Sequence, residues 1–365
     1  MCAVCAHDLA QGFSSVAVHK NPGRLRRIHW FIESRSSGDP ALTTPAISSL
    51  YESIAAALDK ACQIFDDELF SDLPVVNELC SHIRQYRGKM LRPGLLLLSA
   101  RACGRVTEEH HTLAAVVELV HMATLVHDDV LDEADVRRRS PTVCKRAGNE
   151  AAVLLGDYLI SHAFHLCSSL DTQYASRLIG QTTNIVCEGE LQQVHHRGDY
   201  DLTREQYLEI ITRKTASLTG VCCKLGAHYA DAGEELADAL EGYGLNVGIA
   251  FQITDDVLDI VGSEEQAGKT LGRDLEKRKL TLPLIHCFAE APLDARRRLR
   301  DLLDADHQDR RVMRDLLIRT GSIAFARQAA QSYILAALGQ LDVLPASDAR
   351  DSLQRLATLI IDREQ

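Results

Sequence analysis

From about Pro45 onward, apolar residues recur at intervals of three and four, as at Ile47, Leu50, Ile54, Leu58 and Cys62. That spacing keeps one face of an α-helix apolar. No run shows the alternation that marks a half-buried strand. Proline is missing for roughly 140 residues between Pro141 and Pro283. Because proline breaks a helix interior, this stretch suits long, uninterrupted helices. Two segments, Leu113 to Ala123 and Gly242 to Ile253, are apolar nearly all round. A helix without a polar face is normally covered on every side, so both are expected to be central. The pattern predicts an all-α fold without internal repeats. Beyond about Leu284 the chain reads as charge-rich amphipathic helix, with Arg296-Arg297-Arg298-Leu299-Arg300 expected to be a solvated face.

Both central segments turn acidic where they end. The first runs into Asp128, Asp129 and Asp132 and then into Arg137, Arg138 and Arg139; the second runs into Asp255, Asp256 and Asp259. Residues four apart share a helix face, which pairs Asp128 with Asp132 and Asp255 with Asp259. Two carboxylates one turn apart repel each other and lose hydration when partly buried, and a hard divalent cation relieves both penalties. One such motif is ordinary, since acidic helix faces are usually just solvated. Two, each closing an apolar run and each followed by basic residues, form a more specific pattern. Facing acidic clusters need a shared cation and the basic residues beside them need an anion. A metal-bridged diphosphate meets both demands.

Composition narrows the choices. A chain of 365 residues holds one large domain or two ordinary ones. The net charge of −11 argues against a nucleic-acid partner. No apolar run reaches the ~18 residues of a membrane span, and no GxGxxG or P-loop signature supports nucleotide binding. The 11 cysteines are scattered and odd in number, which suits reduced thiols in a cytoplasmic protein. Cys2 and Cys5 have CxxC spacing without a second pair at zinc-site distance. His110-His111 and His195-His196 are expected at the surface. Residues 1–44 hold Trp30, Arg24, Arg26 and Arg27 among Ser, Gly and Pro without a period. They are expected to form a poorly ordered extension ahead of a domain spanning 45–365.

A series of motifs follows in order: Gly88-Lys89-Met90-Leu91-Arg92-Pro93, Asp128-Asp129-Val130-Leu131-Asp132 with Arg137-Arg138, Gly156-Asp157, Lys214-Thr215, Phe251-Gln252-Ile253-Thr254-Asp255-Asp256-Val257-Leu258-Asp259, Gly268-Lys269 and Lys279. In this combination the chain resembles the trans-isoprenyl (polyprenyl) diphosphate synthases, above all their long-chain, octaprenyl-type branch, from about residue 46 to the C-terminus. The resemblance implies an isoprenoid-synthase-type bundle of ten or more helices around a central deep cavity, usually as a homodimer. It implies magnesium-dependent head-to-tail (1'-4) condensation of isopentenyl diphosphate with an allylic diphosphate, giving a long all-trans product for quinone side chains. Asp128, Asp132 and Asp255 would ligate three Mg2+ ions, while Asp129, Asp256 and Asp259 would hold waters and orient the ligands. Arg137, Lys214, Gln252 and Lys269 would contact the allylic diphosphate. Lys89, Arg92, His121 and Arg138 would hold isopentenyl diphosphate. Thr215 and Gln252 offer oxygen dipoles to the allylic cation, and the departed diphosphate would take the last proton. Arg139 and Arg278 stand where the family commonly has glycine, which puts local loop geometry in question rather than the reaction.

Product length depends on what lies below the acidic end. Ala123 and Thr124 precede Asp128 by about one helical turn, and both are small. In short-chain members of the family, bulky aromatics there block a growing chain. A tunnel open past this level is expected, with its floor near Ile160 or Phe164. The competing readings are a shorter-chain farnesyl or geranylgeranyl synthase, a terpene cyclase, and a non-catalytic subunit of a heteromeric synthase. A cyclase usually carries an Asn/Asp-Ser/Thr-Glu motif where this chain has three aspartates. A non-catalytic subunit typically loses aspartates that this chain keeps. A lipidic product is compatible with peripheral membrane association, though nothing indicates a span.

Overall fold

Helices account for most of the described backbone. The computed structural model describes residues 49–86, 88–138, 140–262, 271–305 and 309–362. The expected extension over 1–44, and with it Cys2 and Cys5, lies outside the described residues, as do Arg139, Gly268 and Lys269. In chain order the helices are α1 (Ala55–Glu68), α2 (Pro74–Ile83), α3 (Leu91–Ala102), α4 (Glu108–Leu131), α5 (Val143–Ala147), α6 (Asn149–Ser168), α7 (Tyr174–His195) and α8 (Arg204–Ile211). They continue as α9 (Ser217–His228), α10 (Glu234–Val261), α11 (Arg273–Glu276), α12 (Leu282–Glu290), α13 (Leu293–Asp304), α14 (Arg310–Arg319), α15 (Ser322–Gln340) and α16 (Asp348–Asp362). Among the described residues the strands are one antiparallel hairpin, β1 (Val136–Arg137) with β2 (Ser140–Pro141), in the register Val136 opposite Pro141.

The two all-apolar segments are central, as their periodicity requires. Every residue from Leu113 to Val120 on α4 is buried. α10 joins two apolar clusters, sending Leu240, Tyr243, Val247 and Ala250 into one and Ile249, Ile253, Val257 and Ile260 into the other. α9 and α10 approach until their backbones touch. A Cβ at Gly244 would lie 2.5 Å from the Thr219 carbonyl, and one at Gly248 would lie 2.6 Å from the Ala216 Cα. Between α8 and α9 the helix widens into a single π turn, Thr212–Ala216. Such turns are frequent at functional sites, and this one carries Lys214 and Thr215. Gly189 of α7 closes on it from the other side, where a Cβ would meet the Lys214 backbone nitrogen at 2.6 Å.

The His110-His111 pair, expected at the surface, is buried instead, at 0% and 6% exposure. His110 Nδ1 accepts from the Thr107 backbone N–H at 2.9 Å within the N-terminal capping box of α4, and Nε2 lies 3.0 Å from the Gly226 carbonyl. Both ring nitrogens are therefore satisfied inside the protein, and the histidine ties α4 to α9. His195 is exposed, and His196 pairs with Asp199 at 2.8 Å. On α13, Arg297, Arg298 and Arg300 are exposed as expected, while Arg296 donates back to the carbonyls of Ala289 at 2.8 Å and Ala291 at 2.5 Å. No described helix is long and apolar enough to cross a membrane.

Arg278 shows why glycine suits its position. Its φ is +52°, a left-handed conformation that costs a residue with a Cβ roughly 1–2 kcal/mol. Its carbonyl accepts from the Gly198 N–H at 2.9 Å, and its side chain is exposed. Arg278→Gly is expected to stabilise the protein by about 0.5–1 kcal/mol, seen as a higher melting temperature. An unchanged or lower value would show that the guanidinium contributes more than the backbone strain removes.

Candidate active site

One cavity of about 1440 Å³ gathers most of the residues singled out in the sequence. It exceeds the several hundred Å³ of a typical small-molecule pocket. α4 presents His121, Thr124, Leu125, Asp128 and Asp132 to it on successive turns, and α10 presents Phe251, Gln252, Asp255 and Asp256. Arg92 and Arg137, then Arg138, Lys214, Thr215 and Lys279, complete the polar end. Asp128, Asp132 and Asp255 thus border one space. Asp129 and Asp259 turn away from it. Asp129 is 1% exposed and accepts both Nε and Nη2 of Arg137 at 2.8 Å, which fixes the guanidinium carried by the β-hairpin. Asp259 accepts from the backbone N–H groups of Gly272 at 3.0 Å and Asp274 at 3.3 Å, pinning the segment that opens α11. Each was expected to orient ligands through water, and the structure gives each a protein partner.

Charges at the mouth compensate one another. Burial, followed by neighbouring Glu190 and Asp132, raises the Asp128 pKa against the pull of Lys214 and Arg137. For Asp132 burial also pushes upward. Lys279, with its Nζ at 2.9 and 3.2 Å from the two oxygens, outweighs it and leaves the carboxyl below its usual range. Lys214 pairs with Glu190 and donates to Gln193 Oε1 at 2.9 Å. Among the described residues no three His, Cys, Asp or Glu side chains converge on a preformed metal cage. The donors that line the cavity are carboxylate oxygens, which suit a hard divalent cation. Lining one cavity together with Lys214, Lys279, Arg92, Arg137 and Arg138, they fit a cation that arrives together with an anion.

His121 sits among Arg92, Arg138 and Arg137. Burial first, and then these three guanidinium groups, hold its pKa well below the ordinary value, so the imidazole is neutral at pH 7. Arg92 Nε is buried without a partner. Arg138 donates to the Tyr86 carbonyl, and its guanidinium occupies the space a Cβ at Gly88 would need. Lys89 is exposed and is not part of the cavity wall.

A buried chain of hydrogen bonds runs behind the second acidic motif. Tyr207 Oη donates to Asp256 Oδ2 at 2.6 Å, Gln252 Nε2 donates to Asp256 Oδ1 at 2.8 Å, and Thr215 Oγ1 donates to Gln252 Oε1 at 2.9 Å. Burial, with Asp274 and then Asp255 adding to it, pushes Asp256 up to about 8. The sequence alone does not single out Tyr207, Glu190, Gln193 or Asp274, and it gives Lys279 no role. Their partners lie far away along the chain, 147 residues in the case of Lys279 and Asp132, so no local spacing exposes them.

Below the polar end the wall becomes apolar, with Val120, Leu125, Ile160, Val186 and Phe251. Thr124 lines it, but Ala123 is fully buried in the core and does not. Of the two expected floor residues, Ile160 lines the cavity. Phe164 lies outside the wall, 36% exposed, on the side of α6 that faces Gly180 of α7.

A helical bundle around one deep cavity, acidic and basic at the mouth and apolar below, defines an all-α protein of the isoprenoid-synthase fold. The chain belongs to the polyprenyl synthetase family, a family of prenyltransferases, whose model matches residues 73–318. It is 34% identical to octaprenyl diphosphate synthase of Escherichia coli, over 82% of this chain and 93% of that one. It is also 34% identical to heptaprenyl diphosphate synthase component 2 of Geobacillus stearothermophilus, over 87% and 99%. The polyprenyl synthase of Caulobacter crescentus, solved with calcium and isoprenyl diphosphate, superposes with a TM-score of 0.82 at 32% identity, covering 90% of this chain and 99% of that one.

Proposed function

We propose that the protein condenses isopentenyl diphosphate head-to-tail with an allylic diphosphate and releases a long-chain, all-trans polyprenyl diphosphate of octaprenyl type, suited to quinone side chains. The observation that carries this reading is the placement of Asp128, Asp132 and Asp255 around one cavity whose wall continues past Thr124 as apolar surface. These three carboxylates would hold magnesium, which when bound supplies positive charge against the departing diphosphate. That the Caulobacter polyprenyl synthase was solved with calcium and isoprenyl diphosphate supports a divalent cation here as well. Arg137 and Lys214 bring fixed cations to the same leaving group, which costs no reorganisation when charge develops. Arg92, Arg138 and the neutral His121 would bind the second diphosphate at the other side of the mouth. Thr215 and Gln252 line the same cavity and would offer side-chain oxygens to an allylic cation, and the apolar wall would keep water from it. The last proton would pass to the departed diphosphate. Lys269 and Lys89 join the two diphosphate sets by resemblance alone.

We place the enzyme in the cytoplasm as a homodimer. The printed description of the Geobacillus relative as one component favours a second reading, in which this chain needs a partner subunit for activity. One experiment addresses both. Purified protein is incubated alone with Mg2+, labelled isopentenyl diphosphate and each allylic primer in turn, and the products are sized. Chains longer than geranylgeranyl are expected. Farnesyl diphosphate as the end product would overturn the long-chain assignment, and turnover appearing only after a second subunit is added would establish the component reading.

A further inference from the structure

Tyr207 lies outside the cavity wall, is 3% exposed, and sits on α8 just before the π turn. It nevertheless ends the hydrogen-bond chain that reaches the cavity through Asp256, Gln252 and Thr215. The amide of Gln252 can point either way round, because Thr215 Oγ1 is able to donate or to accept. Only Asp256 distinguishes the two ends. Tyr207 Oη occupies Oδ2, so any proton the carboxyl carries is shared on that side and Oδ1 is left as an acceptor; it binds the amide nitrogen and turns the amide oxygen toward Thr215 and the cavity. Tyr207 Oη satisfies the other carboxylate oxygen at 2.6 Å. Without that bond a buried carboxylate oxygen would be left unpaired, at a cost of about 1–3 kcal/mol. The carboxyl would then rotate toward another donor, and Oδ1 would leave the amide nitrogen. That change frees the Gln252 amide to reverse and present N–H groups where an electron-deficient carbon forms.

We infer that Tyr207 is a positioning residue for prenyl transfer: acting through Asp256, it fixes which end of the Gln252 amide faces the reacting carbon. This rests on the function proposed above. A misoriented amide harms the cationic transition state more than substrate binding, so the defect falls on kcat rather than on KM. Tyr207 is also a core residue, so loss of stability alone decides nothing.

The test is a double-mutant cycle between Tyr207→Phe and Gln252→Ala, with kcat and KM for both diphosphates and the melting temperature measured for all four proteins. Y207F is expected to lower kcat by about 10–100-fold, less than the roughly 10²–10³-fold for a donor lost directly at a reacting centre because Tyr207 acts through Asp256, with KM within about threefold. In the Gln252→Ala background, adding Y207F should change kcat by less than about threefold, because the group it orients is gone. A Y207F kcat within about twofold of wild type overturns the inference. So does a full, multiplicative loss in the double variant, which marks Tyr207 as merely structural. Should Y207F be too unstable to assay, Asp256→Asn decides the matter: its amide can donate to the Gln252 oxygen and reverse it, so the same selective loss of kcat is expected, and an unchanged kcat sinks the inference. Absence of turnover in wild type overturns the proposed function itself, and is told apart because it is measured first.

Discussion

Asp128→Asn is expected to lower turnover by about 10³-fold or more, in line with removing a charged group from an electrostatically catalysed site, and at the same time to raise the melting temperature of the metal-free protein. The first effect follows from its place on the cavity wall, one turn from Asp132 and in the same cavity as Asp255. The second follows from the direction of its pKa. Burial, Glu190 and Asp132 make ionisation harder in the folded state than in the unfolded one. For an acid raised in this way the penalty is absent at low pH, where both states are protonated, and is fully present once the pH exceeds the folded pKa. At pH 7 the carboxylate therefore opposes folding, and a neutral amide of the same shape removes the opposition. The loss of a partner for Lys214 offsets part of this gain. Sites selected for charge commonly trade stability for activity in this manner. The comparison needs single-turnover kinetics and thermal melts in chelator at pH 7. More than a tenth of wild-type turnover would show that Asp128 is not a cation-holding group, and a lower melting temperature would show that it is not electrostatically strained. Asp255→Asn should match it in lost turnover.

The long-range order of the fold was legible where physical chemistry acts locally. α4 and α10 announced themselves through apolar residues on every face, and each acidic cluster appeared where such a helix ended. Spacing of four put Asp128 and Asp132 on one face, and both line the cavity. Other features depend on contacts between distant segments. The π turn under Lys214 has no signature in Thr212-Arg213-Lys214-Thr215-Ala216. It is accommodated by Gly189 and Gly248, which arrive from two other helices. His110-His111 looked like a surface pair because polar residues usually are, yet each nitrogen of His110 finds a partner inside. Asp129 shares the composition of its motif without facing the cavity because it lies about 100° round α4 from Asp128; Asp259 has the spacing to share a face with Asp255, but its carboxylate is taken up by the backbone N–H groups of Gly272 and Asp274, which local spacing does not reveal. Lys279 reaches Asp132 only because α11 folds back across the mouth.

Helix phase also decides the second large effect. Thr124→Phe is expected to shorten the product by several isoprene units while leaving the first condensations within a fewfold of wild-type rate. Thr124 is half-buried on the cavity wall, its hydroxyl donating to the His121 carbonyl at 2.7 Å. A phenyl ring there projects into the space below Asp128 and blocks an elongating chain, but does not touch the groups at the mouth. Ala123, its neighbour in sequence, points about 100° round the helix into a fully buried core. Ala123→Phe should therefore leave product length unchanged and instead destabilise the protein by about 1–3 kcal/mol through overpacking. Sizing products from labelled isopentenyl diphosphate, alongside melting curves of both variants, separates the two positions. If Ala123→Phe shortens the chain and Thr124→Phe does not, α4 is turned by one residue relative to the cavity, and the phase that brings Asp128 to the wall is wrong with it.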